Sequence, residues 1–149
     1  MGPRGFPRAT ADIDFLIRGD MVERLRALMH QREAEVVTEN SEFSSYVIGG
    51  IRADFQHARR PISLGMLERA DPVEVEGKLM PVIQVEDLMG LKIQAFHNNP
   101  RRLQDLVDIQ RLMTNNWDTL DFDKVRQYFG LFKRERDFDG LRRLADPNS

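Results

Sequence analysis

The spacing of apolar residues changes along the chain, from alternation in much of the first half to a period of about 3.6 in the second half. Alternating polar and apolar side chains predict β-strands, and pairs of strands joined by glycine predict hairpins. The predicted strands lie at residues 11–17, Ala34–Thr38, Phe43–Ile48 and Ile51–Gln56, with a further hairpin at 73–83. Gly49 and Gly50 form one hairpin turn, and Gly77 lies in the other.

Helices are predicted where apolar residues recur at every third or fourth position. One helix is capped by Asp20 and runs to about His30, and a short one covers Leu64–Ala70. Four more helices are predicted from apolar positions that begin at Val85, Leu103, Val125 and Phe138, and Asp121 is expected to cap the third of these. This order of elements predicts an α+β fold, in which a small mixed sheet is followed by a group of helices.

The same pattern predicts a single domain in two parts. Residues 1–83 carry the α/β core, residues 84–145 form its helical C-terminal part, and residues 146–149 are expected to be a disordered tail. The composition agrees with an ordinary globular protein, because 41% of the residues are hydrophobic and 31% are charged.

Charge and cysteine content exclude several classes of function. The net charge of −2 means that the chain has no overall positive field of the kind that indicates nucleic-acid binding. The absence of cysteine excludes disulfides, thiolate metal ligands and cysteine nucleophiles. No apolar run approaches the length of a membrane span, and the N-terminus does not resemble a signal peptide, so we expect a cytoplasmic protein without a membrane partner.

Two aspartates interrupt the first predicted strand, in the stretch "PRATADIDFLI". Asp12 and Asp14 are two residues apart, so their side chains lie on one face, about 6.6 Å apart along the strand. A divalent cation held by both carboxylates would neutralise them, and Mg²⁺ (or Mn²⁺) prefers such oxygen ligands. The alternative is a strand at the sheet edge whose polar face lies in water.

A third acid, Asp54, lies in the middle of the strand "IRADFQ", with Ala53 and Phe55 facing the other way. Three acids on adjacent strands predict a two-metal phosphoryl-transfer site, in which a carboxylate takes the proton from the attacking hydroxyl. The alternative for Asp54 is a solvent-facing salt bridge with Arg52 or Arg8.

These stretches resemble a known family. "PRATADIDFLI" resembles the Arg-x-Thr-x-Asp-hydrophobic-Asp motif of the nucleotidyltransferase superfamily, specifically of its AbiEii-type and minimal bacterial members. The segment "VEDLMGLKIQAFHNNPRRLQDLVDIQRL" is similar to the downstream helices of that family, which carry Leu-x-x-Leu-Lys, then Arg, then Asp-x-x-Asp. The likeness covers roughly residues 4–113.

The resemblance implies a nucleotidyltransferase-like fold and the transfer of a nucleoside monophosphate from an NTP to a hydroxyl. It implies that Asp12 and Asp14 are metal ligands and that Asp54 is a third ligand and the catalytic carboxylate. The nucleotide-binding residues that it implies are Arg8, Thr10 and Lys92. The alternative for Lys92, which lies close to the apolar face of its helix, is an ammonium that extends past that face into solvent.

The chain departs from the family pattern upstream of Asp12. Members carry a Gly-Gly or Gly-Ser turn there, which opens a helix whose backbone amides hold the phosphates of the nucleotide. Only eleven residues precede Asp12, and "VIGG" at 47–50 follows the acids, where a hairpin turn accounts for it. We therefore expect the first strand–helix unit to be missing and nucleotide transfer by this chain to be weak or absent.

The resemblance also implies partners. The acceptor is tRNA, a protein side chain or a small molecule, and the analogy suggests a toxin of a toxin–antitoxin or phage-defence system, with an antitoxin as partner. A homodimer is expected, because a sheet without its first unit exposes an apolar side. The alternative function is a degenerate, non-catalytic member of the fold that acts as a binding or regulatory protein.

Overall fold

A computed structural model describes residues 12–148 of the chain. The fold divides into two units, the first ending at Glu68 and the second beginning at Arg69. The described residues form six α-helices and two β-sheets. The predicted α+β class is therefore confirmed.

The first unit is a four-stranded sheet with two helices. Its elements are β1 (Asp12–Arg18), α1 (Val22–Gln31), β2 (Glu35–Glu39), β3 (Phe43–Ile48), β4 (Ile51–Ala58) and α2 (Pro61–Glu68). The strand order is β1-β4-β3-β2. Because β1 runs parallel to β4 while the β4–β3 and β3–β2 pairs are antiparallel, the sheet is mixed, as predicted.

One face of this sheet packs against α1. Leu25 and Met29 of the helix form a buried core with Tyr46 and Phe55 of the sheet. Phe15 stacks on Phe55, with ring centroids 4.8 Å apart. Since strand side chains alternate between faces, this apolar packing turns the neighbouring even-numbered residues of β1 and β4 toward the opposite face.

Local sequence accounts for the β3–β4 hairpin. Gly49 and Gly50 have φ values of +57° and +81°, the left-handed conformation that a tight two-residue turn requires and that glycine adopts without a steric penalty. The turn sets the β3–β4 register, in which Ile48 is opposite Ile51.

Two predicted helix starts in the first unit differ from the structure. Asp20 does not cap α1, because it lies in a 3₁₀ turn, Gly19–Met21, and its carboxylate accepts hydrogen bonds from Arg18 instead. The helix α2 begins at Pro61, three residues before the predicted start, since the fixed φ of proline suits the first helical position.

The second unit is a hairpin followed by four helices. Its elements are β5 (Asp71–Val75), β6 (Lys78–Val82), α3 (Val85–Asn98), α4 (Leu103–Asn115), α5 (Phe122–Leu131) and α6 (Glu135–Ala145). Helix α3 packs against α4 and α5, and α6 also packs against both. Asp121 caps α5, as its carboxylate accepts a hydrogen bond from the backbone N–H of Lys124 at 3.1 Å.

Two further points concern the chain as a whole. The predicted organisation into parts 1–83 and 84–145 of one domain stays a prediction, and the structure groups the β5–β6 hairpin with the helices that follow it. Across residues 12–148, no helix is both long enough and apolar enough to span a bilayer.

Candidate active site

Asp14 and Asp54 lie side by side on the face of the sheet that points away from α1. They are register partners across the parallel strands β1 and β4. Phe15 and Phe55, one residue further along each strand, stack on the other face. Asp14 is exposed, whereas the side chain of Asp54 is only 17% exposed. Two of the three predicted acids are therefore adjacent in the sheet.

The remaining residues of the first predicted motif are only partly described. The backbone of Asp12 is paired with that of Arg52 in the β1–β4 register. The side chain of Asp12 lies outside the described part of the chain, as do Arg8 and Thr10. The roles predicted for these three residues stay predictions.

The Asp54 carboxylate accepts two hydrogen bonds on the same oxygen. Ser45 Oγ donates to Oδ1 at 2.5 Å, and Arg52 Nε donates to Oδ1 at 3.0 Å. Ser45 is fully buried, while the Arg52 side chain is 42% exposed. The salt bridge between Asp54 and Arg52 is part of the alternative that the sequence left open for Asp54. The carboxylate does not face solvent alone, however, because the buried Ser45 also holds it.

The donor set fits a hard divalent cation. Asp14 and Asp54 present carboxylate oxygens on one face, which is the ligand chemistry that Mg²⁺ and Mn²⁺ prefer. Within residues 12–148, no cluster of three or more described His, Cys, Asp or Glu side chains is close enough to form a metal centre. The predicted set also includes Asp12, whose side chain lies outside the described part of the chain, so the described residues offer two carboxylates as candidate ligands.

Lys92 lies on α3, in the second unit, and is paired with α4. Its Nζ donates to Asp108 Oδ2 at 3.0 Å, and Gln104 Nε2 donates to Asp108 Oδ1 at 2.8 Å. Burial acts to raise the pKa of Asp108, but the hydrogen bonds from Lys92 and Gln104 outweigh it and hold the pKa below its ordinary value. The Lys92 side chain is 20% exposed, so its ammonium is part of a half-buried ion pair.

A buried charge network in the second unit was not predicted from the sequence. Asp87, in the first turn of α3, is fully buried and accepts a hydrogen bond from Tyr128 Oη at 2.5 Å. Arg69 donates to both carboxylate oxygens, and Lys124 Nζ lies 3.3 Å from Oδ1. Burial acts to raise the pKa of Asp87, yet the hydrogen bonds from Arg69, Tyr128 and Lys124 lower it overall. The network fixes α3 to α5, which is a structural role.

Ser45 is the site residue that sequence reasoning missed. A two-residue turn at Gly49–Gly50 makes Ile48 and Ile51 partners, and counting back along both strands pairs Ser45 with Asp54. The signal was therefore present in the sequence. Asp108 was missed as the partner of Lys92 because the pairing joins two different helices.

The comparisons with known proteins place the chain in a family. One solved structure that it resembles is the solution structure of the antibiotic-resistance factor ANT(2'')-Ia, with a TM-score of 0.47 and 15% identity over 92% of this chain and 71% of that one. No curated protein sequence matches the chain. The family described as nucleotidyl transferase AbiEii toxin, type IV toxin–antitoxin system, matches residues 4–148, which confirms the predicted resemblance to this family. The chain belongs to the AbiEii family of nucleotidyl transferase toxins.

Proposed function

We propose that the chain is a divalent-metal-dependent nucleotidyltransferase that moves a nucleoside monophosphate from an NTP to a hydroxyl acceptor. The observation that carries the proposal is the pairing of Asp14 with Asp54 on one face of the parallel strands β1 and β4. Two like-charged carboxylates at one point of a sheet repel each other, so their placement favours a cationic ligand. Membership of the AbiEii family supports the reaction class.

Asp12, Asp14 and Asp54 are the residues that would hold the cation. When bound, Mg²⁺ or Mn²⁺ would neutralise the carboxylates and the triphosphate oxygens and act as a Lewis acid at the phosphoryl group. The two hydrogen bonds to Asp54 both end on Oδ1, and among the described residues none ends on Oδ2. Oδ2 is therefore the Asp54 oxygen that remains for a ligand or a proton.

In the proposed reaction, Asp54 acts as the general base. The acceptor hydroxyl oxygen forms a bond to the α-phosphorus, the bond from that phosphorus to the bridging oxygen breaks, and pyrophosphate leaves. The hydroxyl proton passes to the Asp54 carboxylate. A carboxylate that is held on one oxygen by Ser45 and Arg52 keeps a fixed orientation for that transfer.

The nucleotide-binding residues and the partners belong to the same proposal. Arg8, Thr10 and Lys92 would contact the NTP or order the site around it. The acceptor is tRNA, a protein side chain or a small molecule, and the toxin–antitoxin family supports an antitoxin as the biological counterpart. The predicted homodimer stays a prediction.

One observation favours the alternative of a non-catalytic member of the family. Arg52 already pairs with Asp54 at 3.0 Å, so this carboxylate has a counter-ion within the protein itself. An ion pair of this kind is also found in sheets that bind no metal, where its role is structural. The two functions differ in what happens when the site is given NTP and Mg²⁺.

The test is transfer of label from α-labelled NTP, with Mg²⁺, to total RNA and to the protein itself. We expect weak labelling by the wild type and a fall of that labelling to background in Asp54→Asn, because the amide cannot take the proton. Asp20→Asn is the matched control, since Asp20 is an exposed acid paired with Arg18 in the same unit. Labelling that is equal in Asp54→Asn and wild type would contradict the proposal.

A further inference from the structure

The strand register places a buried hydroxyl beside the candidate catalytic carboxylate. Three neighbouring strands carry the residues concerned. Asp54 on β4 is the register partner of Asp14 on β1 and of Ser45 on β3. Asp54 is therefore flanked by Asp14 on one side and by Ser45 on the other. We propose that Ser45 is a positioning residue that fixes the Asp54 carboxylate for the cation, a role that rests on the proposed function.

The hydrogen bond has the properties that such a role requires. Ser45 is fully buried, and its hydroxyl donates to the Asp54 carboxylate at 2.5 Å, the length of a short O–H···O hydrogen bond. Ser45 and Asp14 lie on opposite sides of β4, and the Asp54 oxygen that Ser45 holds is Oδ1. Arg52 Nε donates to the same oxygen. Rotation of the Asp54 carboxylate about its Cβ–Cγ bond would break both hydrogen bonds, so Oδ2 keeps one orientation.

Groups that orient a ligand without touching the metal affect metal affinity strongly. Removing such a partner typically lowers the affinity roughly 10–100-fold, because the ligand must be ordered when the metal binds. The Arg52 side chain is 42% exposed whereas Ser45 is fully buried, so we expect Ser45 to supply most of the restraint. The role follows from geometry and is separable from the stability that the hydrogen bond contributes.

The chain contains a matched control one residue away. Ser44 is also fully buried on β3, but it points to the other face, where its Oγ lies 2.8 Å from His57 Nε2. Ser44→Ala and Ser45→Ala thus remove the same atom from neighbouring positions of one strand, and each removes the side-chain hydrogen bond of a buried serine. Only Ser45→Ala removes a bond to Asp54.

The experiment titrates Mn²⁺ into the 149-residue wild type, Ser45→Ala and Ser44→Ala, and follows bound Mn²⁺ by electron paramagnetic resonance. Urea unfolding of each protein without metal gives its stability. We expect both variants to lose stability, and only Ser45→Ala to bind Mn²⁺ about tenfold or more weakly than the wild type. The pair Ser45→Cys and Ser44→Cys repeats the comparison with a weaker donor of similar size, in case an alanine variant does not fold.

The possible failures are distinguishable. Equal Mn²⁺ affinity in the wild type and the Ser45 variants would overturn the positioning role while leaving the metal site intact. Equal weakening in the Ser44 and Ser45 variants would assign the effect to the stability of the sheet and would also overturn it. A wild type that binds no Mn²⁺ would overturn the proposed function and, with it, the role of Ser45.

Discussion

Asp14 on β1 lies directly opposite Asp54 on β4, and the two carboxylates share one face of a parallel strand pair. Parallel neighbours in register are about 4.8 Å apart, a distance at which two negative charges repel unless a cation lies near both. Arg52 provides a positive charge at Asp54, since its Nε donates a hydrogen bond to Asp54 Oδ1. A divalent cation would provide two.

Replacing Asp14 by asparagine is expected to lower Mn²⁺ affinity by more than about tenfold, because it removes a charged ligand outright and not merely its support. The measurement is the same Mn²⁺ titration of wild type and variant. Asp20→Asn carries the same change in charge at an exposed position and should bind Mn²⁺ like the wild type. A metal affinity that Asp14→Asn leaves intact would remove Asp14 from the site.

Replacing Lys92 by methionine is expected to weaken NTP binding roughly tenfold, the loss that accompanies removal of a hydrogen bond from a charged donor. Methionine occupies nearly the same volume as the lysine stem, so the helical unit should stay folded. Asp108→Asn is the control, because it breaks the ion pair of 3.0 Å but keeps the ammonium. If both variants lose similar stability and neither changes NTP affinity by isothermal titration, Lys92 serves only to join α3 and α4.

Gly90 of α3 lies under the ring of Tyr128, and a Cβ at this position would stand 2.7 Å from a ring carbon. The ring has little room to move, because its hydroxyl is bonded to the buried Asp87. Gly90→Ala is therefore expected to destabilise the protein by about 1–3 kcal/mol despite the better helix propensity of alanine.

The matched control for that substitution is Gly140→Ala on α6, where a Cβ would meet no atom within 4 Å. Here the helix propensity acts alone, and a gain of about 0.5–1 kcal/mol is expected. The free energies of unfolding in urea decide between the two effects. A Gly90→Ala variant that is as stable as Gly140→Ala would mean that α3 and α5 pack less tightly than the distance implies.

Both tyrosines of the chain are expected to resist ionisation while the protein is folded. Burial and a hydrogen bond to Glu39 raise the pKa of Tyr46 from 10.0 to about 12. Burial and the hydrogen bond to Asp87 raise the pKa of Tyr128 as well. The unfolded chain then loses these protons near pH 10 while the folded chain keeps them. Stability is thus fully present below pH 10 and falls as the pH rises toward 12.

Tyrosinate absorbance in the near ultraviolet measures this directly. In urea, both tyrosines should titrate near the ordinary pKa of 10.0. Without urea, little absorbance should develop at that pH, and its later rise should coincide with loss of the helical circular dichroism. A folded protein in which one tyrosine is half-ionised at pH 10 would contradict the burial of that hydroxyl.

Several parts of the fold follow from the sequence because they depend on residues only a few positions apart. Alternation in β1 and β4 predicted which residues of each strand share a face, and the glycine pair at 49–50 predicted the hairpin. Asp121 caps its helix as predicted. The cap predicted at Asp20 is wrong because Arg18, two residues away, competes for the same carboxylate.

The sequence by itself thus determined the class of fold and most of its helices and strands. It also determined that Asp14 and Asp54 lie on the polar faces of their strands, and it carried the family resemblance that the family match confirms. The pairing of these two residues was decided only by the tertiary structure, because they are forty positions apart on parallel strands. No short turn fixes the register of a parallel pair, so it depends on tertiary packing, which here includes the stacked rings of Phe15 and Phe55. The burial of Asp87 and Asp105 was decided in the same way, since the helical pattern shows which face of a helix is apolar but not which polar side chains a neighbouring helix will cover.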